Sequence, residues 1–210
     1  LPVDITVTDI ARDSSLLPGI LEGLQEEKPD LVVTWGTSVT RGIIGKRGDL
    51  GEATALGDIP AMFMIVADPV RADIIQSYDV LARQNLFGVR NRVPEDVQLK
   101  TLFQYYRPER LGVINVPDEL NSVINTERLR DLSTEMGFDL LSLEYNLGDG
   151  EEADPAQIPA LMQALKDQGA DAVYVGSSSF NLQHRDAFTR AAVDVGLPVF
   201  AAYEQMVRQS

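Results

Sequence analysis

Three consecutive hydroxyls, Ser177-Ser178-Ser179, follow Gly176 at the end of the apolar run Asp171-Ala172-Val173-Tyr174-Val175. Hydroxyls so placed can donate to a ligand carboxylate, or one of them can serve as a nucleophile if a base stands near. The only histidine, His184, lies just beyond Ser179, but no Gly-x-Ser-x-Gly elbow surrounds these serines. A histidine on the surface of the next helix is the expected reading, with binding ahead of covalent chemistry. A lone histidine and the lack of cysteine argue against a zinc or redox-metal site and exclude thiolate chemistry.

Other strand-like runs end in the same manner. Leu31–Thr34 runs into Trp35-Gly36-Thr37-Ser38, where the glycine permits close backbone approach and the hydroxyls either meet an anionic ligand or cap a helix. Ala61–Val66 runs into Ala67-Asp68-Pro69; the Asp68 carboxylate either holds an ammonium group or opens a helix ahead of Pro69. Leu111–Ile114 runs into Asn115, with Asn121-Ser122 at the following helix start, as ligand contacts or as turn and cap. Pro198–Ala201 leads to Tyr203-Glu204, where Glu204 either faces a ligand or is solvated at a helix start. Trp35, the sole tryptophan, either stacks on a ligand or packs in a core. Asp149-Gly150-Glu151-Glu152 has the composition of a calcium loop without its spacing and reads as a solvated turn.

These groups need a scaffold that gathers strand ends. Strand and helix patterns alternate along the chain. Strands are expected at Val3–Thr8, Leu31–Val33, Ile59–Val66, Arg110–Ile114, Phe138–Glu144, Ala172–Val175 and Pro198–Ala201, with Leu86–Val89 a short strand or a connection. Helices are expected at Leu16–Glu27, Ser38–Gly45, Arg71–Ala82, Val97–Tyr106, Ser122–Met136, Asp154–Gly169 and Leu182–Val195, with an irregular loop over Gly45–Gly57. Such alternation implies parallel sheets with right-handed crossovers, whose ligands sit outside the carboxyl ends of the strands. A division near Gly88–Pro94 gives two α/β lobes, residues 1–91 and 92–210, facing one another across a cleft.

The chain has 210 residues, 44% of them hydrophobic, which suffices for substantial cores, and no apolar run long enough to span a membrane. Its formal net charge of −14 repels nucleic-acid backbones and anionic membrane faces, so no nucleic-acid partner is expected. The chain opens at Leu1-Pro2-Val3 in a strand pattern, as after removal of an export segment or at a start within a domain.

The chain resembles the substrate-binding proteins of bacterial ABC uptake systems, in the type I periplasmic-binding-protein branch that includes aromatic amino-acid binders. The resemblance lies in Pro29–Thr37, Ile59-Pro60 through Val70, Arg110–Asn115, Asn121-Ser122-Val123, Ala170–Ser179 and Gly196–Ala201, in that order and spacing. It implies two doubly wound parallel-sheet lobes without the first strand-helix pair and the C-terminal return segment. It also implies capture of a small amino-acid-like solute by hinge closure, delivery to a membrane permease, no cofactor and no catalysis. The implied location is periplasmic or extracytoplasmic after loss of a signal peptide, with a lipid anchor as one form of the full-length protein. Ligand contacts implied or read from position are Thr37, Ser38, Asp68, Asn115, Ser122, Ser178, Ser179 and Glu204. The family often carries Pro-Pro-Asp-Ser where Gly176–Ser179 stands, so a carboxylate is replaced at Ser178. Two other readings share the scaffold: a ligand-sensing regulatory or sensor domain, and an α/β enzyme, which would need an acid–base pair.

Overall fold

The computed structural model describes residues 2–48, 56–79, 84–90, 93–148 and 152–208. The chain divides into two compact units, residues 1–91 and 92–210.

In the first unit a 3-10 turn, Ser14–Leu16, leads into α1 (Leu17–Glu27), followed by β1 (Val32–Trp35), α2 (Thr37–Ile43), β2 (Ala61–Val66) and β3 (Leu86–Arg90). Asp13 caps the entry, its Oδ1 accepting the Ser15 N–H at 2.9 Å. Pro18 falls in the first turn of α1, where a missing N–H costs nothing. The three strands are parallel in the order β1-β2-β3. Alternation sends Val32, Thr34, Ala61, Phe63 and Leu86 to a buried face, against which α2 packs. On the other face Val33 and Trp35 of β1 and Phe87 and Val89 of β3 are exposed, and Met62 and Met64 of β2 are half-buried.

Two expected elements of this unit do not form. Val3–Thr8 is exposed, irregular chain that joins no sheet among the described residues. Alternation supplies a strand's two faces, but its N–H and C=O groups still require a neighbouring edge. The helix expected over Arg71–Ala82 is a series of turns through residue 79, and residues 80–82 lie outside the described residues. Asp68 O accepts from Ala72 N–H, Pro69 O accepts from Ile74 and Ile75 N–H, and Asp73 adopts a left-handed φ of 57°, which breaks the helical path. Ala72, Ile74 and Ile75 are still buried, which explains their helix-like apolar spacing. Most of the Gly45–Gly57 loop and of the 149–152 turn also lies outside the described residues.

The second unit runs α3 (Glu95–Leu102), β4 (Arg110–Asn115), α4 (Leu120–Met136), β5 (Asp139–Glu144), a 3-10 turn Pro155–Gln157, α5 (Ile158–Asp167), β6 (Ala172–Val175), α6 (Ser179–Gln183), α7 (Arg185–Asp194), β7 (Val199–Ala201) and α8 (Gln205–Arg208). Its strands are all parallel in the order β5-β4-β6-β7. Both faces are packed. Leu111, Val113, Ala172 and Tyr174 meet Leu99 of α3 and Leu129 and Leu132 of α4. Ile114, Val173 and Val175 point the opposite way, into Met162 and Leu165 of α5 and Phe188, Ala191 and Ala192 of α7. Gly137, with φ 71°, ends α4 in the left-handed conformation that glycine adopts without strain. The helix expected over Leu182–Val195 is two helices instead. α6 starts earlier, at Ser179, and the backbone breaks at His184 (φ −101°, ψ 25°) before α7.

Candidate functional site

The carboxyl ends of β4, β5, β6 and β7 bring the polar residues of the second unit together. Asn115 ends β4 and is buried. Its Nδ2 donates to Glu144 Oε1 at the end of β5 (3.0 Å), while its Oδ1 accepts from Ser122 Oγ (3.2 Å) and Thr126 Oγ1 (3.4 Å) of α4. Ser122 Oγ also accepts the Val116 N–H at 2.9 Å. This inner network ties the β4–α4 turn to the sheet. Neither Asn121 nor Ser122 caps α4: the cap position is Glu119, a buried residue whose Oε1 accepts the Phe180 N–H at 2.8 Å.

An outer network lies around the β6 turn. Asn121 Nδ2 donates to Ser177 O at 2.9 Å, and Ser177 Oγ lies 3.4 Å from the Tyr203 hydroxyl. Ser178 is buried as the cap of α6, its Oγ accepting the Asn181 N–H at 3.0 Å. Ser179, one residue on, is exposed at the first position of α6. Asn181 is buried beneath the turn, accepting from the Tyr145 hydroxyl (2.8 Å) and donating to Ile114 O (3.2 Å). Burial, and then the neighbouring Glu119 carboxylate, raise the Tyr145 hydroxyl well above the ordinary tyrosine range. Glu204 is exposed in the turn before α8.

His184 does not form a dyad with Ser179. Its ring packs on Phe180 with centroids 4.6 Å apart, at the break between α6 and α7. Among the described residues no three His, Cys, Asp or Glu side chains are grouped to hold a metal ion.

In the first unit, Gly36 (φ 92°) turns the chain from β1 into α2. Thr37 is 4% exposed, and its Oγ1 has no hydrogen-bond partner among the described residues; Ser38 is half-buried beside it. The adjacent hydroxyls of Thr34 and Thr40 are satisfied, 2.9 Å apart, with Thr40 also donating to Gly36 O at 2.7 Å. Asp68 follows β2, beyond a bulge where Ile65 takes a φ of 57°. Its Oδ1 accepts the Arg71 N–H at 3.0 Å, and its Oδ2 lies 3.8 Å from Arg71 Nε. Asp68 thus braces a turn rather than a helix. Trp35 is 64% exposed at the last position of β1, not in a core.

Sequence reasoning missed Glu119, Glu144, Tyr145 and Asn181. Glu119 and Glu144 stand just before a helix and at a strand end, places where an acidic residue could have drawn notice. Tyr145 and Asn181 carry no local signal, since they meet only through the fold.

Two all-parallel α/β units with polar side chains at their strand ends form a periplasmic-binding-protein-like architecture. The chain belongs to the ABC transporter substrate binding protein family, which it matches over residues 5–210. Among solved structures, it is similar to a conserved domain protein from Vibrio cholerae (TM-score 0.71, 20% identity, 94% of this chain and 61% of that one). It is similar too to an ABC domain from Streptococcus pneumoniae in complex with L-Trp (TM-score 0.70, 18% identity, 93% and 60%). A third is a solute binding protein of an ABC transporter from Rhodopseudomonas palustris in complex with p-hydroxybenzoic acid (TM-score 0.65, 13% identity, 97% and 51%). The chain therefore spans about three fifths or less of these structures' length. No curated protein matches it significantly.

Proposed function

We propose that this chain receives a small amino-acid-like zwitterion with an apolar or aromatic side chain, for uptake through a membrane permease. The observation that carries the reading is the convergence of Asn115, Asn121, Ser122, Ser177 and Tyr203 at the carboxyl ends of parallel strands, in a chain of this family. Asn115, Ser122 and Ser178 spend hydrogen bonds on shaping the turns, so their remaining capacity and the Ser179 hydroxyl are the proposed donors and acceptors toward the solute. Glu204 is the proposed acceptor for the ammonium group. In the first unit the same reading gives Thr37 and Ser38 the donor role and Asp68 the acceptor role. L-Trp in one similar structure and an aromatic acid in another point to an aromatic side chain. The role involves no turnover and places the protein outside the cytoplasmic membrane, where uptake begins.

The test is calorimetry with L-tryptophan, its des-amino analogue indole-3-propionate, and p-hydroxybenzoate. L-tryptophan should bind tightest. A hydrogen bond to a charged group is worth about 1.5–3 kcal/mol, so loss of the ammonium, or Glu204→Ala, should weaken binding about tenfold or more. Equal affinity for L-tryptophan and indole-3-propionate overturns ammonium recognition. Preference for p-hydroxybenzoate moves the solute class to aromatic acids. Conversion of any of these compounds by the purified chain defeats the non-catalytic reading.

A further inference from the structure

We propose that Asn125, clamped by the buried carboxylate of Glu95, is a positioning residue that seats the Gly176–Ser178 turn and thereby sets solute affinity. The effect on affinity rests on the binding reading above; the seating of the turn does not.

Asn125 is 3% exposed on α4, and its Nδ2 donates to Glu95 Oε1 at 2.8 Å; Glu95, the first residue of α3, is 2% exposed. A carboxylate only accepts hydrogen bonds, so it can hold only the NH2 end of the amide. The carbonyl end must then point away from Glu95, and it points at Gly176. A Cβ at Gly176 would fall on Asn125 Oδ1. The backbone of Gly176 is not among the left-handed glycines, so glycine is required here for room rather than for conformation. The close approach lets the turn sit flush on α4, where Ser178 N–H bonds Gly176 O at 3.1 Å and Ser177 O receives Asn121 Nδ2.

A second tie runs beside the first. Gln98 of α3 donates from Nε2 to Val93 O at 2.6 Å and accepts from the Tyr174 hydroxyl at 2.9 Å. Tyr174 stands on β6, two residues ahead of Gly176, and its ring also borders the space a Cβ there would need. The first turns of α3, where the chain enters the second unit, thus hold the end of β6 at two points.

The experiment uses the whole chain and two readouts: amide hydrogen exchange by NMR without solute, and L-tryptophan calorimetry. Asn125→Ala should speed exchange at Ser178, Phe180 and Asn181 about tenfold or more, while the β4 and β6 amides of Val113 and Val173 stay within about threefold. Glu95→Ala should reproduce that local pattern from α3, and Glu95→Gln, which keeps an acceptor, should restore it. Gly176→Ala and Asn125→Ala should each weaken L-tryptophan about tenfold or more, and because the methyl and the Asn125 amide contend for one space, the double variant should lose less than the two single losses combined. The proposal is overturned if exchange at the turn does not change in Asn125→Ala and Glu95→Ala, or if it rises uniformly across the sheet. It is equally overturned if Glu95→Gln behaves as Glu95→Ala, or if the losses of Gly176→Ala and Asn125→Ala simply add in the double variant. Should the parent chain not bind L-tryptophan, the amino-acid reading fails, while the exchange patterns of Asn125→Ala, Glu95→Ala and Glu95→Gln still decide the positioning role.

Discussion

The two sheets are built from similar strands and packed differently. β2 reads Ala-Met-Phe-Met-Ile-Val and β6 reads Ala-Val-Tyr-Val, both continuous apolar runs of the kind that parallel strands show. In the second unit the alternate residues of β6 enter two separate cores, and every residue of the strand is buried. In the first unit, among the described residues, one face is buried, while on the other Met62 and Met64 are half-buried and Val33, Trp35, Phe87 and Val89 exposed. Apolar continuity therefore identifies a parallel strand but does not show what covers each face. Covering is also what holds the site. The second unit's polar turns rest on a doubly packed sheet and bond one another across it, Asn115 to Glu144 and Asn121 to Ser177, whereas in the first unit the bonds of Thr34 with Thr40 and of Asp68 with Arg71 stay within one connection each.

Stability measurements can break or sharpen this contrast. The largest effect is expected at Phe188, fully buried against the α5–α7 side of the second sheet. Phe188→Ala should cost about 3–5 kcal/mol in denaturant unfolding, the usual range for deleting a core aromatic. A loss no greater than that of a surface change would mean that this face is not a true core.

Next comes Asn181, beneath the β6 turn. Asn181→Ala strands the buried Tyr145 hydroxyl and the Ile114 carbonyl, and should cost about 1–3 kcal/mol. Adding Tyr145→Phe removes the stranded hydroxyl and should return part of that loss. If the two changes prove additive, the bond between these side chains does not contribute.

A smaller effect is tied to pH. The Tyr145 hydroxyl is held protonated by burial and by Glu119, so its pKa is raised in the folded chain. The unfolded chain releases that proton from about pH 10, the ordinary tyrosine value. The contribution is therefore complete below that pH and is lost as pH rises from there toward the folded value. Unfolding titrations between neutral pH and the alkaline limb should show a steeper alkaline loss in the parent than in Tyr145→Phe. Parallel curves would show that the hydroxyl is not shielded.

The smallest effect belongs to the exposed face of the first sheet. Val33→Thr keeps the β-branched shape where the side chain is exposed, and should change stability by no more than about 0.5 kcal/mol. A cost comparable to that at Phe188 would show that this face is covered and would dissolve the contrast.

Much of the architecture is local information. The runs that became β1, β2, β4, β6 and β7 are apolar enough to be read directly, and Asp154, Gly137 and Gly196 mark helix boundaries through capping chemistry and left-handed backbone. The parallel arrangement follows from strand–helix alternation, and the polar residues at strand ends are legible because the connection after each strand must start there. Val3–Thr8 and Arg71–Ala82 were misread for one reason: period alone does not report whether a strand finds an edge, or whether a residue such as Asp73 takes a left-handed φ.

What the sequence determined by itself is the class of fold and the chemical inventory: hydroxyls, amides and carboxylates after apolar strands, with one histidine and no thiol. Which of those groups are spent on one another was decided only in three dimensions. Asn115 meets Glu144 across two strands, Glu119 reaches the Phe180 amide, and Asn125 fills the space that Gly176 leaves open. A hydrogen bond between residues far apart in the chain leaves no periodic trace, because it depends on strand order and register, and those are set by how whole faces bury against one another.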